Sequence, residues 1–240
     1  TNIEFMKGKR DMIRLSLKQL QSNFYLLERI LQSCRRRYIF NSLMLNLLYL
    51  GVEMLVHENC GVIGIFSLDG HNVIPFVIDS LRALQHRGQE AWGIAVPGKP
   101  PFRKLGLVSS AASDFPMVTK KYKSHTAIGH VRYSTLGKST IENAQPLRVK
   151  DLCVAHNGTI ANVEELSGMV GGCTFTPQTM SDTLVAAQRL VMHLADKEDM
   201  AEAMHILKGE MVGSFCFTFL TDEGSVYAAR DTRGFRPLVL

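Results

Sequence analysis

The stretch Cys60-Gly61-Val62-Ile63-Gly64-Ile65-Phe66 sets a cysteine at the head of a short apolar, β-branched run that carries two glycines. Such a run reads as a buried strand whose glycines let another backbone come close. The thiol then stands at the very edge of a sheet, where substrate and solvent reach it. A lone cysteine is more commonly a small buried apolar residue than a nucleophile. The residues around it decide between the two readings.

At 240 residues the chain is one large domain or two small ones, long enough to bury a core. Its five cysteines (Cys34, Cys60, Cys153, Cys173, Cys216) form no CxxC pair, and its eight histidines form no HxxxH pair. The odd cysteine count points to reduced thiols of a cytoplasmic protein rather than a disulfide framework. The net charge of +5 belongs mostly to the leader. Residues 1–59 hold nine Lys/Arg against five Asp/Glu, leaving 18 against 17 for residues 60–240. The body of the chain therefore gives no reason to invoke nucleic acid.

Within the leader, Ile13, Leu17, Leu20, Phe24, Leu27 and Leu31 form a helical stripe too short for a coiled coil. The uncharged run Tyr38 to Val52 falls short of the roughly 20 residues that span a bilayer. Three readings stay open: a translated region ahead of a true start at Met54, a helical appendage, or a membrane-surface anchor. The composition shift just before Cys60 favours the first, and no membrane partner is expected.

Downstream, Phe76, Val77, Ser80, Leu81 and Leu84 share one helix face, with Asn72 as N-cap and Pro75 in the first turn. Gln85-His86-Arg87-Gly88-Gln89-Glu90 is too polar for a core, and Gly88 suits a helix C-cap. Trp92 to Val96 and Ala127 to Thr135 read as strands, with a loop from Pro97 to Pro101 and another from Leu136 to Gln145. The pair Asn157-Gly158 between apolar runs signals a type I′ hairpin turn. Ser181-Asp182-Thr183 opens a helix carrying Leu184, Val185, Ala187, Leu190 and Val191. A further helix covers Met200 to Glu210, and strands at Ser214 to Thr221 and Val226 to Ala229 close the chain.

Cys60-Gly-Val-Ile-Gly, Leu84-Gln-His-Arg-Gly-Gln-Glu-Ala-Trp-Gly-Ile94, His130-Val-Arg-Tyr-Ser-Thr135, Ala155-His-Asn-Gly-Thr159, Ser181-Asp-Thr183 and Arg230-Asp-Thr-Arg-Gly-Phe-Arg-Pro-Leu238 occur in order. Together they resemble the class II glutamine amidotransferase domain, and within that class the amidophosphoribosyltransferase family. Trp92 departs from the pattern, which more often has a small residue there. The resemblance covers about residues 60–240. It implies an α+β fold, the four-layer αββα sandwich of N-terminal-nucleophile hydrolases.

By the same resemblance Cys60 is the nucleophile, and Asn157 and Gly158 form the oxyanion hole. Arg132 grips the glutamine α-carboxylate, Asp182 holds its α-ammonium, and Arg87, Gly88 and Tyr133 complete the substrate site. A guanidinium fork suits a carboxylate, and an amide donor beside a glycine N–H suits an oxyanion. L-glutamine is the implied substrate. Ammonia would pass to phosphoribosyl pyrophosphate on a C-terminal phosphoribosyltransferase domain that this sequence does not contain, in a homo-oligomeric enzyme of purine biosynthesis.

No cofactor is implied for residues 60–240; Mg²⁺ and an iron–sulfur cluster would belong to the remainder of the enzyme. Glu198-Asp199 is the nearest acidic pair, but no apolar strand feeds it. A family cysteine uses its own α-amine as base, so with Asn59 attached the chain reads as a precursor. Two other readings remain: a class II amidotransferase of the glucosamine-phosphate synthase type, or a non-catalytic module that binds glutamine or a partner subunit.

Overall fold

The computed structural model describes residues 60–133, 140–170, 181–197 and 199–239. The leader, the Ser134–Ser139 part of the expected glutamine loop, Cys173 and Glu198 lie outside the described residues.

Eight strands form two antiparallel sheets. The first has the order β1-β4-β2-β3, built from Gly61–Phe66 (β1), Ala91–Ala95 (β2), Phe102–Leu105 (β3) and Thr126–Arg132 (β4). The second runs β5-β6-β7-β8, from Leu147–Val149 (β5), Leu152–Ile160 (β6), Gly213–Thr221 (β7) and Val226–Arg230 (β8). Helices Ile74–Ala83 (α1) and Phe115–Lys121 (α2) accompany the first sheet. Val163–Gly168 (α3), Asp182–Lys197 (α4) and Met200–Glu210 (α5) accompany the second.

Three apolar layers follow from strand alternation. Phe215, Phe217 and Phe219 alternate along β7 and pack with Val185, Leu190, Met204 and Leu207 of α4 and α5. Their partners in the alternation face inward: Leu220 of β7 joins Ala95, Ile128, Cys153 and Ala155 in the layer between the sheets. Trp92, Ile94 and Val131 meet Ile74, Val77 and Leu81 of α1. Each fully buried large side chain contributes roughly 1.5–3 kcal/mol. The result is the α+β sandwich, αββα in its layers. Arg189 clamps α4 to α5 by a bidentate pair with Glu210 at 2.8 and 2.6 Å, and His193 adds a third contact at 3.0 Å.

Several local expectations are corrected. Asn157-Gly158 is not a turn. It lies inside β6, whose pairing with β7 runs unbroken through Asn157↔Cys216 and Gly158↔Phe215. Glycine is required there because its φ is +147° and a Cβ would run into the Ser214 backbone. Gly88 ends a 3-10 turn (Leu84–Arg87) in extended conformation rather than in a left-handed cap. Its constraint is close approach: a Cβ would lie 2.6 Å from Val131 C and 2.7 Å from Arg132 N.

The α1 helix is rotated from the expected face. Phe76 is 50% exposed, and the buried residues are Ile74, Val77, Ile78 and Leu81. Val73 occupies its N-cap, although the Asn72 side chain still accepts from Ile74 N at 3.3 Å. The glycines of β1 make room for side chains rather than a backbone, Val131 and Leu84 at Gly61 and Val226 at Gly64. Strands β3 and β5 and helices α2 and α3 add to the elements anticipated. Trp92 is accommodated in the core, 5.2 Å from the Phe102 ring and 6.2 Å from Phe115.

Gly93 illustrates how tightly the first sheet is closed. A Cβ there would collide with Gln145 O and stand 2.8 Å from Phe102 O, both backbone atoms. Gly93→Ala is therefore expected to cost about 1–3 kcal/mol, read as a lower midpoint in urea unfolding. An unchanged midpoint would show that this backbone can move aside.

Candidate active site

The site is assembled at one end of the sandwich from strand ends. Cys60 directly precedes β1, and the register Gly61↔Val131 brings it beside Arg132, the last residue of β4. The Cys60 thiol points at the Tyr133 carbonyl oxygen, 3.5 Å away. Arg87, at the end of the 3-10 turn, donates from Nε to Cys60 O at 2.9 Å and so holds the cysteine backbone. Gly88 lets that turn lie against β4, as its close approach to Val131 and Arg132 requires.

Burial pushes the Cys60 thiol above its ordinary range. The Tyr133 contact and the guanidinium groups of Arg132 and Arg236 pull it down, whereas the Asp182 carboxylate raises it. These three charged side chains are thus all close enough to act on the sulfur. Cys153 and Cys216 differ: burial pushes each up to about 11, as expected of inert interior thiols.

Arg132 is half-buried, and its guanidinium donates to Asn143 O at 2.5 Å. Asp182 opens α4 with its side chain 28% exposed, accepting from Ile160 N at 3.2 Å at the far end of β6. The Ser181 hydroxyl caps that helix, accepting from Leu184 N at 3.2 Å. Asn157 is 3% exposed, and its Oδ1 has no hydrogen-bond partner among the described residues. An unpaired amide oxygen is an acceptor that only an N–H or O–H donor, such as a substrate amide N–H, can satisfy.

His130 joins the two sheets. Its Nε2 donates to His156 O at 3.1 Å, which brings β4 against β6 two residues before Arg132 and one residue before Asn157. Burial drops the His130 pKa to about 3, and it also lowers that of His156. Both imidazoles are held neutral. His156 faces the helices instead of the sheet interior, stacked on Phe217 at 4.4 Å with Nδ1 3.1 Å from Thr183 Oγ1.

The expected residues therefore gather unevenly. Tyr133 O and Arg87 contact Cys60 directly, Gly88 lies against β4 beside Arg132, and Arg132 and Asp182 act on the sulfur through their charges. The Tyr133 ring is 38% exposed, so its part in the site comes from the main chain. Asn157 and Gly158 adjoin through the His130–His156 bridge. Arg236 was missed: the buried Asp231 carboxylate accepts from Phe215 N, Arg233 N and Gly234 N and folds the closing segment back toward the site. Its only sequence signal was membership of the Arg230–Leu238 block.

An open groove of about 1160 Å³, lined by Met211, Val212, Phe215, Arg233 and Phe235, shares Arg236 with these surroundings but not Cys60. The chemistry is accordingly assigned to the cysteine end. Among the described residues no group of three or more His, Cys, Asp or Glu side chains could hold a metal ion. Asp199 serves instead as the N-cap of α5, accepting from Glu202 N at 2.9 Å. No helix among the described residues is long and apolar enough to cross a membrane.

Comparison with known proteins places this arrangement. A family model described as a glutamine amidotransferase domain matches residues 130–240. An amidophosphoribosyltransferase of Lacticaseibacillus casei is 36% identical over 195 residues, covering 77% of this chain and 96% of that one. The chain belongs to the amidophosphoribosyltransferase family. The Archaeoglobus fulgidus amidophosphoribosyltransferase is 41% identical over 189 residues, covering 75% of this chain and 40% of the relative.

The solved glutamine phosphoribosylpyrophosphate amidotransferase from B. subtilis, complexed with ADP and GMP, superposes with a TM-score of 0.61. The two are 31% identical over 73% of this chain and 38% of that one. The fold is thus the N-terminal-nucleophile sandwich, and the chain carries a glutamine amidotransferase domain, matched over residues 130–240. These relatives do not favour the glucosamine-phosphate synthase reading. The chain spans 34–40% of the length of the archaeal and mycobacterial relatives.

His130 generates a stability prediction. Its folded pKa of about 3 lies below the usual histidine value near 6.5, so the folded state binds fewer protons than the unfolded one. Its contribution is complete above about pH 6.5 and is lost as pH falls from there toward 3, at up to ~1.4 kcal/mol per pH unit. His130→Asn should flatten the fall in urea midpoint between pH 7 and pH 5, with His156 accounting for what remains. Parallel pH profiles for parent and variant would refute the assignment.

Proposed function

We propose that the Cys60 end of this domain hydrolyses the side-chain amide of L-glutamine, and that the ammonia passes to phosphoribosyl pyrophosphate on a further domain of the full enzyme. The observation that carries this reading is that Cys60 lies at a strand end beside Arg132, in the electrostatic field of Arg132, Asp182 and Arg236. A cysteine under the influence of one carboxylate and two guanidiniums suits an amino-acid zwitterion. Arg132 would take the α-carboxylate and Asp182 the α-ammonium, while Arg87, Gly88 and the Tyr133 main chain hold the cysteine and the strand end in place.

In the proposed reaction Cys60 Sγ attacks the amide carbon, forming a carbon–sulfur bond. The carbonyl oxygen gains negative charge beside the Asn157 side chain and Gly158 N–H. The tetrahedral intermediate collapses, the carbon–nitrogen bond breaks, and the nitrogen leaves as ammonia after taking a proton. Water then cleaves the thioester to release glutamate and the thiol.

A thiol raised by burial needs a base, and the three buried imidazoles among the described residues are engaged elsewhere, His130 with His156 O, His156 with Thr183 and His193 with Glu210. An α-amine with a pKa of about 7.7–8.0 suits the task. We therefore assign the base to the Cys60 amine, set free by removal of the residues before it. Cys60 has φ +52°, a left-handed conformation unusual for a residue with a side chain. That torsion exists only while Asn59 is attached, and cleavage relieves it.

The proposed half-reaction needs no metal or cofactor. The setting we propose is the cytoplasm, in a homo-oligomeric enzyme of purine biosynthesis.

N-terminal sequencing of active protein should find Cys60 first, and Cys60→Ala should abolish glutamine hydrolysis while leaving glutamine binding. Full activity with Asn59 still attached would overturn the amine as base. Binding without turnover in protein that begins at Cys60 would favour a non-catalytic module. Asn157→Ala should lower kcat by about 10²–10³, whereas Arg132→Lys should act mainly on the KM for glutamine, both read in a steady-state glutaminase assay.

A further inference from the structure

Gln145 is a buried polar side chain, 8% exposed, for which the glutaminase chemistry has no task. Both ends of its carboxamide are engaged. Oε1 accepts from His156 N at 2.7 Å, and Nε2 donates to Thr183 Oγ1 at 3.0 Å. The first bond has a clear origin in the sheet. Strand β5 pairs with β6 from Leu147↔Val154 to Val149↔Leu152, so its pairing stops two residues short of His156. The Gln145 side chain takes the amide left over and fixes the β6 backbone one residue before Asn157.

The second bond reaches the start of α4. Thr183 Oγ1 lies 3.3 Å from Asp182 Oδ1 and 3.1 Å from His156 Nδ1. Because Oε1 must accept from a backbone N–H, the amide orientation of Gln145 is determined and its Nε2 must donate. The Thr183 hydroxyl, receiving that proton, gives its own to the carboxylate, the stronger acceptor. His156 Nδ1–H completes the ring by donating to the same oxygen. Gly93 belongs to the same device, since it allows the Gln145 main-chain oxygen to lie against β2.

We infer that Gln145 is a positioning residue for the glutamine reaction. Its one amide sets the strand that carries Asn157 and, through Thr183, the carboxylate of Asp182, so that oxyanion donor and ammonium acceptor are held in a fixed relation. This inference rests on the glutaminase reading of the same site. A misplacement of about 1 Å in such a constellation costs on the order of 10²-fold, which makes the coupling measurable.

The test uses processed full-chain protein in steady-state glutaminase assays, with rates expressed per active site titrated by an electrophilic glutamine analogue. Gln145→Met, similar in size but unable to make either bond, should lower kcat about tenfold or more and raise KM for glutamine about tenfold. Thr183→Val should raise KM with kcat kept within about threefold, and Thr183→Ser should restore the parental KM. Active-site titration removes the misfolded fraction, so a role confined to stability would lower the unfolding midpoint and leave both constants unchanged. That result in Gln145→Met and Thr183→Val overturns the inference while the glutaminase reading stands. Should Gln145→Met fail to fold, the contrast between Val and Ser at position 183 decides alone. Absence of glutamine turnover in the parent overturns both.

Discussion

The hydrogen bond from His130 Nε2 to His156 O crosses between the two sheets in surroundings with almost no solvent, and the position of the site depends on it. An unpaired carbonyl or imidazole nitrogen there would cost about 1–3 kcal/mol. The bond also ties two registers that have no covalent relation. Arg132 follows His130 by two residues on the same face of β4, and Asn157 follows His156 directly on β6. Since Gly61 pairs with Val131, the cysteine ahead of β1 is drawn to the same end. Three strand ends are thereby assembled by one contact.

Around the sulfur the interactions oppose each other. Burial disfavours the thiolate, and so does Asp182; Arg132, Arg236 and the Tyr133 contact favour it. Burial prevails. A thiol in this position is not a spontaneous nucleophile. The same desolvation strengthens every charged contact that a bound amino acid would make, because effective dielectric falls with distance from solvent. The arrangement therefore suits a nucleophile that waits for its base and substrate together.

The sequence was most legible where local pattern and global packing agree. The strand expected over Ser214 to Thr221 is β7, Gly213–Thr221, and the helix expected over Met200 to Glu210 is α5. Tertiary constraints overrode local signals elsewhere. Asn157-Gly158 has the composition of a hairpin turn, yet the ladder with β7 runs straight through it and uses the glycine for its backbone angle. Gly88 is needed for contact with β4, a segment more than forty residues away, so no short window contains its reason. Motif resemblance named Cys60, Arg132 and Asp182. Gln145, Thr183 and Arg236 reach their partners across the fold, Gln145 on His156 and Thr183, Arg236 on Cys60, and carry no local pattern of their own.

The place of Cys60 directly ahead of β1 follows from the same packing. The next residue on that face is Val62, which joins Ala95, Ile128 and Leu220 in the layer between the sheets. A cysteine there would share the fate of Cys153 in that layer, pushed up to about 11 and closed to substrate. Moved one residue, to Gly61, it would point to the opposite face, where Leu84 and Val131 leave no room for a side chain. The edge position leaves the sulfur under the charges of Arg132 and Arg236. In the proposed reaction it also lets a backbone nitrogen be released from the chain without breaking a strand, so that one residue would serve both substrate access and base.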